Sequence, residues 1–162
     1  MVSKYRRDGR SEKEFAANIS ESSLIERLLI RIVAADLGRI SKTQWLYIDN
    51  GCDNYGSKLK NSETTTEADF QLIDSTGQIH KVDIKYSRPD RPSFHIKKNH
   101  IISYKKQKCI IIMFMGINTP NIRYTMIHPE SYDKILKTGK EKILWGKAQF
   151  ELMTKDFEWY PV

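Results

Sequence analysis

Apolar positions along the first quarter of the chain recur at helical spacing. In "SEKEFAANISESSLIERLLIRIVAADLG", from about Ser11 to Asp36, Leu24, Leu28, Ile32 and Ala35 line one stripe and Gly38 offers a C-terminal stop. This predicts a long N-terminal helix, or two shorter pieces where Ser20 or Ser22 caps the second. "TQWLYID" then reads as a strand, and "NGCDNYGSKLKNSETTTE", rich in Asn, Gly, Ser and Thr, reads as a long loop. "ADFQLID" and "IHKVDIKYS" alternate apolar and polar positions around the turn "DSTGQ", which predicts an antiparallel hairpin. Phe70 and Leu72 fall on one face of its first strand, and Val82, Ile84 and Tyr86 on one face of its second.

The two prolines of "SRPDRPSFHIKKN" leave only "FHI" as a short strand, and "HIISYKKQ" suits a helical turn capped by Asn99. "KCIIIMFMG" is a continuous apolar run bounded by glycine, as in a strand buried on both faces, and "NIRYTMIH" follows as its neighbour across "INTPN". "PESYDKILKTG" predicts a short helix between Pro129 and Gly139, and the aromatic, charged tail from Ile143 onward reads as a cover. With 162 residues, 40% hydrophobic, one compact α/β (α+β) domain is expected, with residues 1–11 as a loosely ordered basic arm.

Charge and cysteine content narrow the function. Lys and Arg outnumber Asp and Glu by 27 to 20, which points to an anionic partner such as nucleic acid. Cys52 and Cys109 match no metal-ligand spacing, and Cys109 opens an apolar strand as a small core residue. The basic start lacks the apolar stretch of a signal peptide, and no apolar run is long enough to span a bilayer. A soluble, cytoplasmic protein without membrane partners is the expectation.

The hairpin carries the candidate chemistry. Asp83 and Lys85 share one strand face, opposite that of Val82, Ile84 and Tyr86. Where the turn pairs Ile73 with Ile79, Asp69 falls opposite Asp83, with Cβ atoms about 4.5–5.5 Å apart. Like charges so placed repel, so a fold that keeps them usually supplies a cation. Two carboxylates with a backbone carbonyl and waters make the hard oxygen environment of Mg²⁺. The alternative is a solvated strand face on which Asp83 and Lys85 are ordinary surface charges.

"EADF", with thirteen residues between Asp69 and Asp83, followed by "DIK", resembles the PD-(D/E)XK nuclease superfamily. The resemblance follows the order of elements over roughly residues 20–128. It implies a restriction-endonuclease-like mixed central sheet of four to five strands flanked by helices. It further implies Asp69 and Asp83 as metal ligands, the Ile84 carbonyl as a third, and Lys85 as the catalytic lysine. Glu26 resembles the helix glutamate that completes many such sites, with Glu21 as the competing position. Ala68 stands where the motif's name has proline, and the triplet starts with Asp instead of the more frequent Glu. The implied activity is that of a Mg²⁺-dependent endonuclease, with Mn²⁺ substituting, that hydrolyses DNA by in-line attack and leaves a 5′-phosphate and a 3′-hydroxyl.

Nine Lys or Arg stand against two Asp between Lys81 and Lys108, a surplus equal to the net charge of +7. Backbone phosphates are the expected counterparts, with Arg88, Arg91, Lys97 and Lys98 as contacts, His95 beside them, and Lys58 and Lys60 on the other side. Lys105, Lys106 and Lys108 read as ordinary solvated residues, and His128 as a capping or packing group. Small size without an appended reading domain favours a homodimer acting on two strands of duplex DNA, or a structure-specific enzyme similar to Holliday-junction resolvases. The rival from another class is a nucleic-acid-binding module that does not cut.

Overall fold

A computed structural model describes residues 11–51 and 67–162. Lys58 and Lys60 and the N-terminal arm up to residue 10 lie outside the described residues. Helix α1 (Glu12–Ser41) is one piece, with no break at Ser20 or Ser22. Its start is fixed by a capping box in which the Ser11 side chain accepts from Glu14 N while the Glu14 carboxylate accepts from Ser11 N at 2.7 Å. Gly38 does not end it. The helix runs on to Ser41, and Lys42, in the left-handed conformation at φ 54°, closes it by donating its backbone N–H to the Gly38 carbonyl.

A six-stranded mixed sheet follows in the order β1 (Leu46–Asp49), β2 (Phe70–Ile73), β3 (Ile79–Tyr86), β5 (Ile110–Met115), β6 (Arg123–Ile127), β9 (Tyr160–Pro161). Only β3 and β5 run parallel; every other neighbouring pair is antiparallel. The expected hairpin register holds, with Ile73 opposite Ile79 and Phe70 opposite Val82. Its turn is organised by Asp74, whose Oδ1 accepts from Thr76 N, Thr76 Oγ1 and Gln78 N, while Gly77 takes φ 83°.

Helix α1 covers one face of this sheet. Its packing stripe is rotated from the one predicted, because Leu29, Ile30, Val33 and Ala34 are buried against Phe70, Leu72, Val82, Ile84, Ile112, Phe114 and Tyr124, whereas Leu24 and Leu28 are exposed. The helix is apolar on more than one side, so spacing alone could not choose the core-facing stripe. Polar ties fix the docking: Arg27 to Asp49 at 2.6 Å, Tyr86 Oη to Ser22 Oγ at 2.9 Å, and Tyr124 Oη to Asp36 Oδ2 at 2.6 Å.

The other face is also covered, which the alternation of β3 did not predict. Helix α2 (Lys98–Gln107), helix α3 (Tyr132–Thr138) and a second sheet of β4 (Ser93–Lys97), β8 (Lys147–Met153) and β7 (Lys140–Leu144) pack there. Phe94, Ile96, Ile101, Tyr104, Ile111, Met113, Tyr132, Phe150 and Leu152 form this second core. The tail does pack as a cover, as expected, with Phe150, Leu152, Phe157 and Trp159 on the second core, and it does so largely as the β7–β8 hairpin of a separate sheet; the strands number six and three where a central sheet of four to five was expected. Helix α2 begins one residue after Lys97, not at Asn99, and α3 is preceded by a single 3₁₀ turn at Pro129–Ser131. No helix among the described residues is long and apolar enough to cross a membrane.

Candidate functional site

Asp83 lies on the central strand β3, opposite Ile111 of its parallel neighbour β5, and is 1% exposed. That burial removes the solvated-face alternative for this carboxylate: a charge so placed must be paired and hydrogen-bonded. Tyr104 Oη of α2 donates to Asp83 Oδ1 at 2.7 Å. Lys85 Nζ, two residues along the same strand face, lies 2.5 Å from Asp83 Oδ2 and 3.5 Å from the Ile84 carbonyl oxygen. The Lys85–Asp83 contact is close but poorly aligned, and Oδ2 has no hydrogen bond of acceptable geometry. It is best described as a coulombic contact, leaving one buried carboxylate oxygen with unused acceptor capacity.

Asp69 stands one residue ahead of β2, next to the Phe70–Val82 pair that closes the ladder. Its backbone is held by Asn50, which donates N–H to the Asp69 carbonyl at 2.9 Å and Nδ2 to the Ala68 carbonyl at 2.8 Å. Gln71 in turn donates to Asn50 Oδ1 at 3.1 Å. The Asp69 carboxyl lies close enough to Asp83 to feel its charge, so the two acids adjoin as the register requires. Burial first, and then the Asp83 carboxylate, push Asp69 up to about 8, with Lys85 opposing. Asp69 therefore keeps its proton at neutral pH, and that proton is what a metal ion would displace.

Burial alone would depress the Lys85 ammonium, but Asp83, Asp69 and Glu26 together outweigh it and raise the value, so the lysine stays charged. Glu26 thus acts on both Asp69 and Lys85 from α1. The competing position is spoken for, because Glu21 pairs with Arg88 at 2.5 Å. Of the two helix acids, Glu26 is the one within electrostatic reach of the strand acids.

The basic residues sort into different places. Arg88 and Lys98 are committed to Glu21 and Glu141, the latter at 2.7 Å. Arg91 is exposed, and His95 sits 3.9 Å from Glu151 on the outer face of the second sheet. Lys97 does turn toward the acids' side: burial, Lys147 and Lys85 all depress it. Lys105, Lys106 and Lys108 are exposed, as expected, with Lys105 in a surface pair with Asp133 at 2.5 Å. His128 occupies the N-cap of the 3₁₀ turn without a side-chain capping bond.

Three neighbours escaped the sequence reading. Tyr104 reaches Asp83, His100 lies 3.4 Å from Tyr104 Oη through Nδ1, and Lys147 stands near Lys97. Burial first, and then Lys85 and Lys97, push His100 down to about 4, so it is neutral at physiological pH. A helix starting at Lys98 puts His100 and Tyr104 one turn apart on one side, a spacing visible in "HIISY" once the helix start is known.

The donor set suits a hard divalent cation: two adjoining carboxylates, one of them with a buried oxygen lacking an aligned partner, and a carbonyl at Ile84. Among the described residues no three His, Cys, Asp or Glu side chains are grouped as a ready-made metal cage. A partly hydrated ion such as Mg²⁺ does not require one, and Lys85 Nζ now touches the same oxygens such an ion would take. An open cleft of about 450 Å³ lined by His80, Lys105, Lys108, Ile110, His128, Pro129 and Glu130 shares none of these residues. No protein-family model, curated protein or solved structure matches the chain.

Proposed function

We propose that the chain is a Mg²⁺-dependent nuclease of the PD-(D/E)XK type, hydrolysing phosphodiester bonds in DNA. The observation that carries this reading is the adjoining pair Asp69 and Asp83 with Lys85 on the same strand face, a buried, strained charge arrangement at the end of a hairpin. Asp69, Asp83 and the Ile84 carbonyl would hold the ion. When bound, Mg²⁺ polarises a phosphoryl oxygen and lowers the pKa of water.

The chain's own groups supply the rest. Lys85, kept protonated by its carboxylates, orients the attacking water and offsets charge that builds on the phosphate oxygens. Glu26 holds a further water or a second ion from the helix side. The water oxygen bonds to phosphorus and gives up a proton to solvent as the bond from phosphorus to the 3′ oxygen breaks, and the leaving 3′ oxygen takes a proton from solvent, giving a 5′-phosphate and a 3′-hydroxyl. Tyr104 fixes the Asp83 carboxylate by occupying Oδ1, so that Oδ2 is the oxygen left for the ion.

The test is cleavage of supercoiled plasmid and of a four-way DNA junction, with Mg²⁺, with EDTA, and with Lys85→Ala alongside. Cutting that needs both metal and Lys85 is expected, and preference for the junction would favour the resolvase-like subclass. A second reading, binding without cutting, draws on the contact of Lys85 with Asp83, which already offsets the buried charge. Folded wild-type protein that binds DNA but never cuts it with Mg²⁺ or Mn²⁺ would establish that reading instead.

A further inference from the structure

The register of the second sheet sets up a pattern of charge that the candidate site does not use. Directly opposed residues of an antiparallel pair share a face. Lys142 of β7 lies opposite Gln149 of β8, and Gln149 lies opposite Lys97 of β4. Lys142, Gln149 and Lys97 therefore form one row across all three strands, roughly 10 Å from end to end. Lys147, two residues before Gln149 on β8, stands beside the row on the same face. This face is opposite the one bearing Phe94, Ile96, Phe150 and Leu152, which point into the second core, and on it the lysines stand around Gln149, a buried amide that donates to the Leu144 carbonyl at 3.3 Å.

A neighbouring row, Lys140, Glu151 and His95, carries the only carboxylate that ion-pairs on this face among the described residues. Glu151 accepts from Lys140 at 3.2 Å and from Lys142 at 2.8 Å, and those two lysines depress it to about 2. Lys97 and Lys147 have no carboxylate within ion-pair distance among the described residues. They are instead close enough to act on one another, and Lys97 also feels Lys85. A fold gains nothing from bringing unpaired ammonium groups together, and the arrangement is neutralised by an anion that bridges them. The row ends at Lys97, the last residue of β4, immediately ahead of the helix that delivers Tyr104 to Asp83.

We infer that the outer face of the three-stranded sheet, through Lys97, Lys142 and Lys147 around Gln149, is a track for the phosphate backbone of nucleic acid leading to Asp69, Asp83 and Lys85. The inference takes its direction of approach from the nuclease reading, but the track is a binding surface and requires no cutting. Lys147 thereby joins Lys97 at the centre of the interface and Lys142, paired with Glu151 on the same face, borders it, while Arg88 and Lys98, paired with carboxylates away from this face, leave it.

The test is binding of a fluorescein-labelled 20-base-pair DNA in EDTA, followed over a range of salt concentrations so that no cleavage intervenes. Each phosphate contact contributes about 0.9 to the slope of log affinity against log salt. Lys97→Ala/Lys147→Ala is expected to lower the slope by roughly two. The exposed single change Lys147→Ala, which leaves the core untouched, should lower it by about one. Lys106→Ala/Lys155→Ala, equal in charge but elsewhere on the surface, should leave it unchanged. An unchanged slope in both track variants, or an equal drop in the surface control, would overturn the track. Loss of binding to phosphatidylserine vesicles with DNA binding intact would assign the face to a membrane and overturn it too. A lowered slope in a protein that never cuts would retain the track and refute the nuclease; Lys85-dependent cutting with an unchanged slope would do the reverse.

Discussion

Replacing Lys85 with methionine keeps an unbranched apolar stem and removes the ammonium that lies 2.5 Å from Asp83 Oδ2. Asp83 is 1% exposed, and stranding a buried carboxylate by removing its partner costs about 3–5 kcal/mol. The Lys85 side chain keeps 32% of its surface, so water can enter the space it leaves and the lower end, about 3 kcal/mol, applies. For a domain of 162 residues each kcal/mol moves Tm by about 2–4 °C, so the metal-free variant should melt about 6–12 °C below wild type at neutral pH.

The pH dependence of that deficit separates the site from ordinary packing loss. Asp69 is an acid whose folded value is raised to about 8, so its ionisation opposes folding, and the penalty grows as pH climbs from about 4 toward 8. Below about 8 folded Asp69 keeps its proton with or without Lys85, so that penalty is common to both proteins; removing Lys85 pushes Asp69 up further, so the Lys85→Met deficit should widen as pH rises past about 8. Mg²⁺ at a hundred times its Kd adds about 2.7 kcal/mol, and its stabilisation should be greater in the variant, where no ammonium competes for the Asp83 and Ile84 oxygens. Thermal unfolding by circular dichroism at pH 6, 7, 8 and 9.5, in EDTA and in Mg²⁺, reads all of this. A deficit that is the same at every pH, or a Mg²⁺ shift no larger than in wild type, would refute the reasoning.

Four further outcomes follow from the same geometry. Mg²⁺ affinity should rise about tenfold per pH unit between pH 6 and 8 as the Asp69 proton is displaced, and calorimetry in buffers of different ionisation enthalpy should count that proton; a flat profile would contradict it. Tyr104→Phe should cost about 1.5–3 kcal/mol in urea unfolding, because a buried carboxylate loses a charged-group hydrogen bond, and should weaken Mg²⁺ binding as well. Glu26→Gln should slow cleavage at least tenfold while Glu21→Gln, which breaks only an exposed pair with Arg88, leaves the rate and the melting temperature near wild type; equal effects would remove Glu26 from its role. His100, whose folded value is depressed to about 4, contributes stability that is complete above about 6.5 and is lost as pH falls toward 4, so wild type should lose up to about 1.4 kcal/mol per pH unit relative to His100→Asn across that window.

The hairpin was legible in the sequence because its information is local. Asp74, Thr76 and Gly77 build the turn, the turn sets Ile73 against Ile79, and that register fixes which residue meets Asp83. The buried strand β5 was legible for a related reason, since a run apolar on both faces requires cover on both. What covers the second face was not legible. β4 pairs with β8 across more than fifty residues, Phe94 against Leu152, and neither strand announces the other. With that layer unseen, the face bearing Asp83 and Lys85 looked solvated, and Tyr104 had no visible partner. Helix α1 failed differently: the Leu24–Leu28 stripe and the Leu29–Val33 stripe are equally apolar, and only the sheet chooses between them.

Ion pairing elsewhere in the described chain is largely one to one: Arg27 with Asp49, Arg88 with Glu21, Lys98 with Glu141, Lys105 with Asp133, Arg123 with Asp90. Such pairs leave no charge to spare and need no ligand. Around Lys85 two buried carboxyl groups, Asp69 and Asp83, face one ammonium, so the cluster balances only while Asp69 keeps its proton. A short way off, Lys97 and Lys147 repel one another with no carboxylate in ion-pair distance among the described residues. Ionising Asp69 opposes folding, and the charge on Lys97 is disfavoured by its burial and by Lys147. A divalent cation on the acids together with a phosphate on the lysines discharges both at once. A phosphodiester backbone carrying Mg²⁺ would supply that pair of charges, which is the sense in which the proposed nuclease activity and the proposed track belong together.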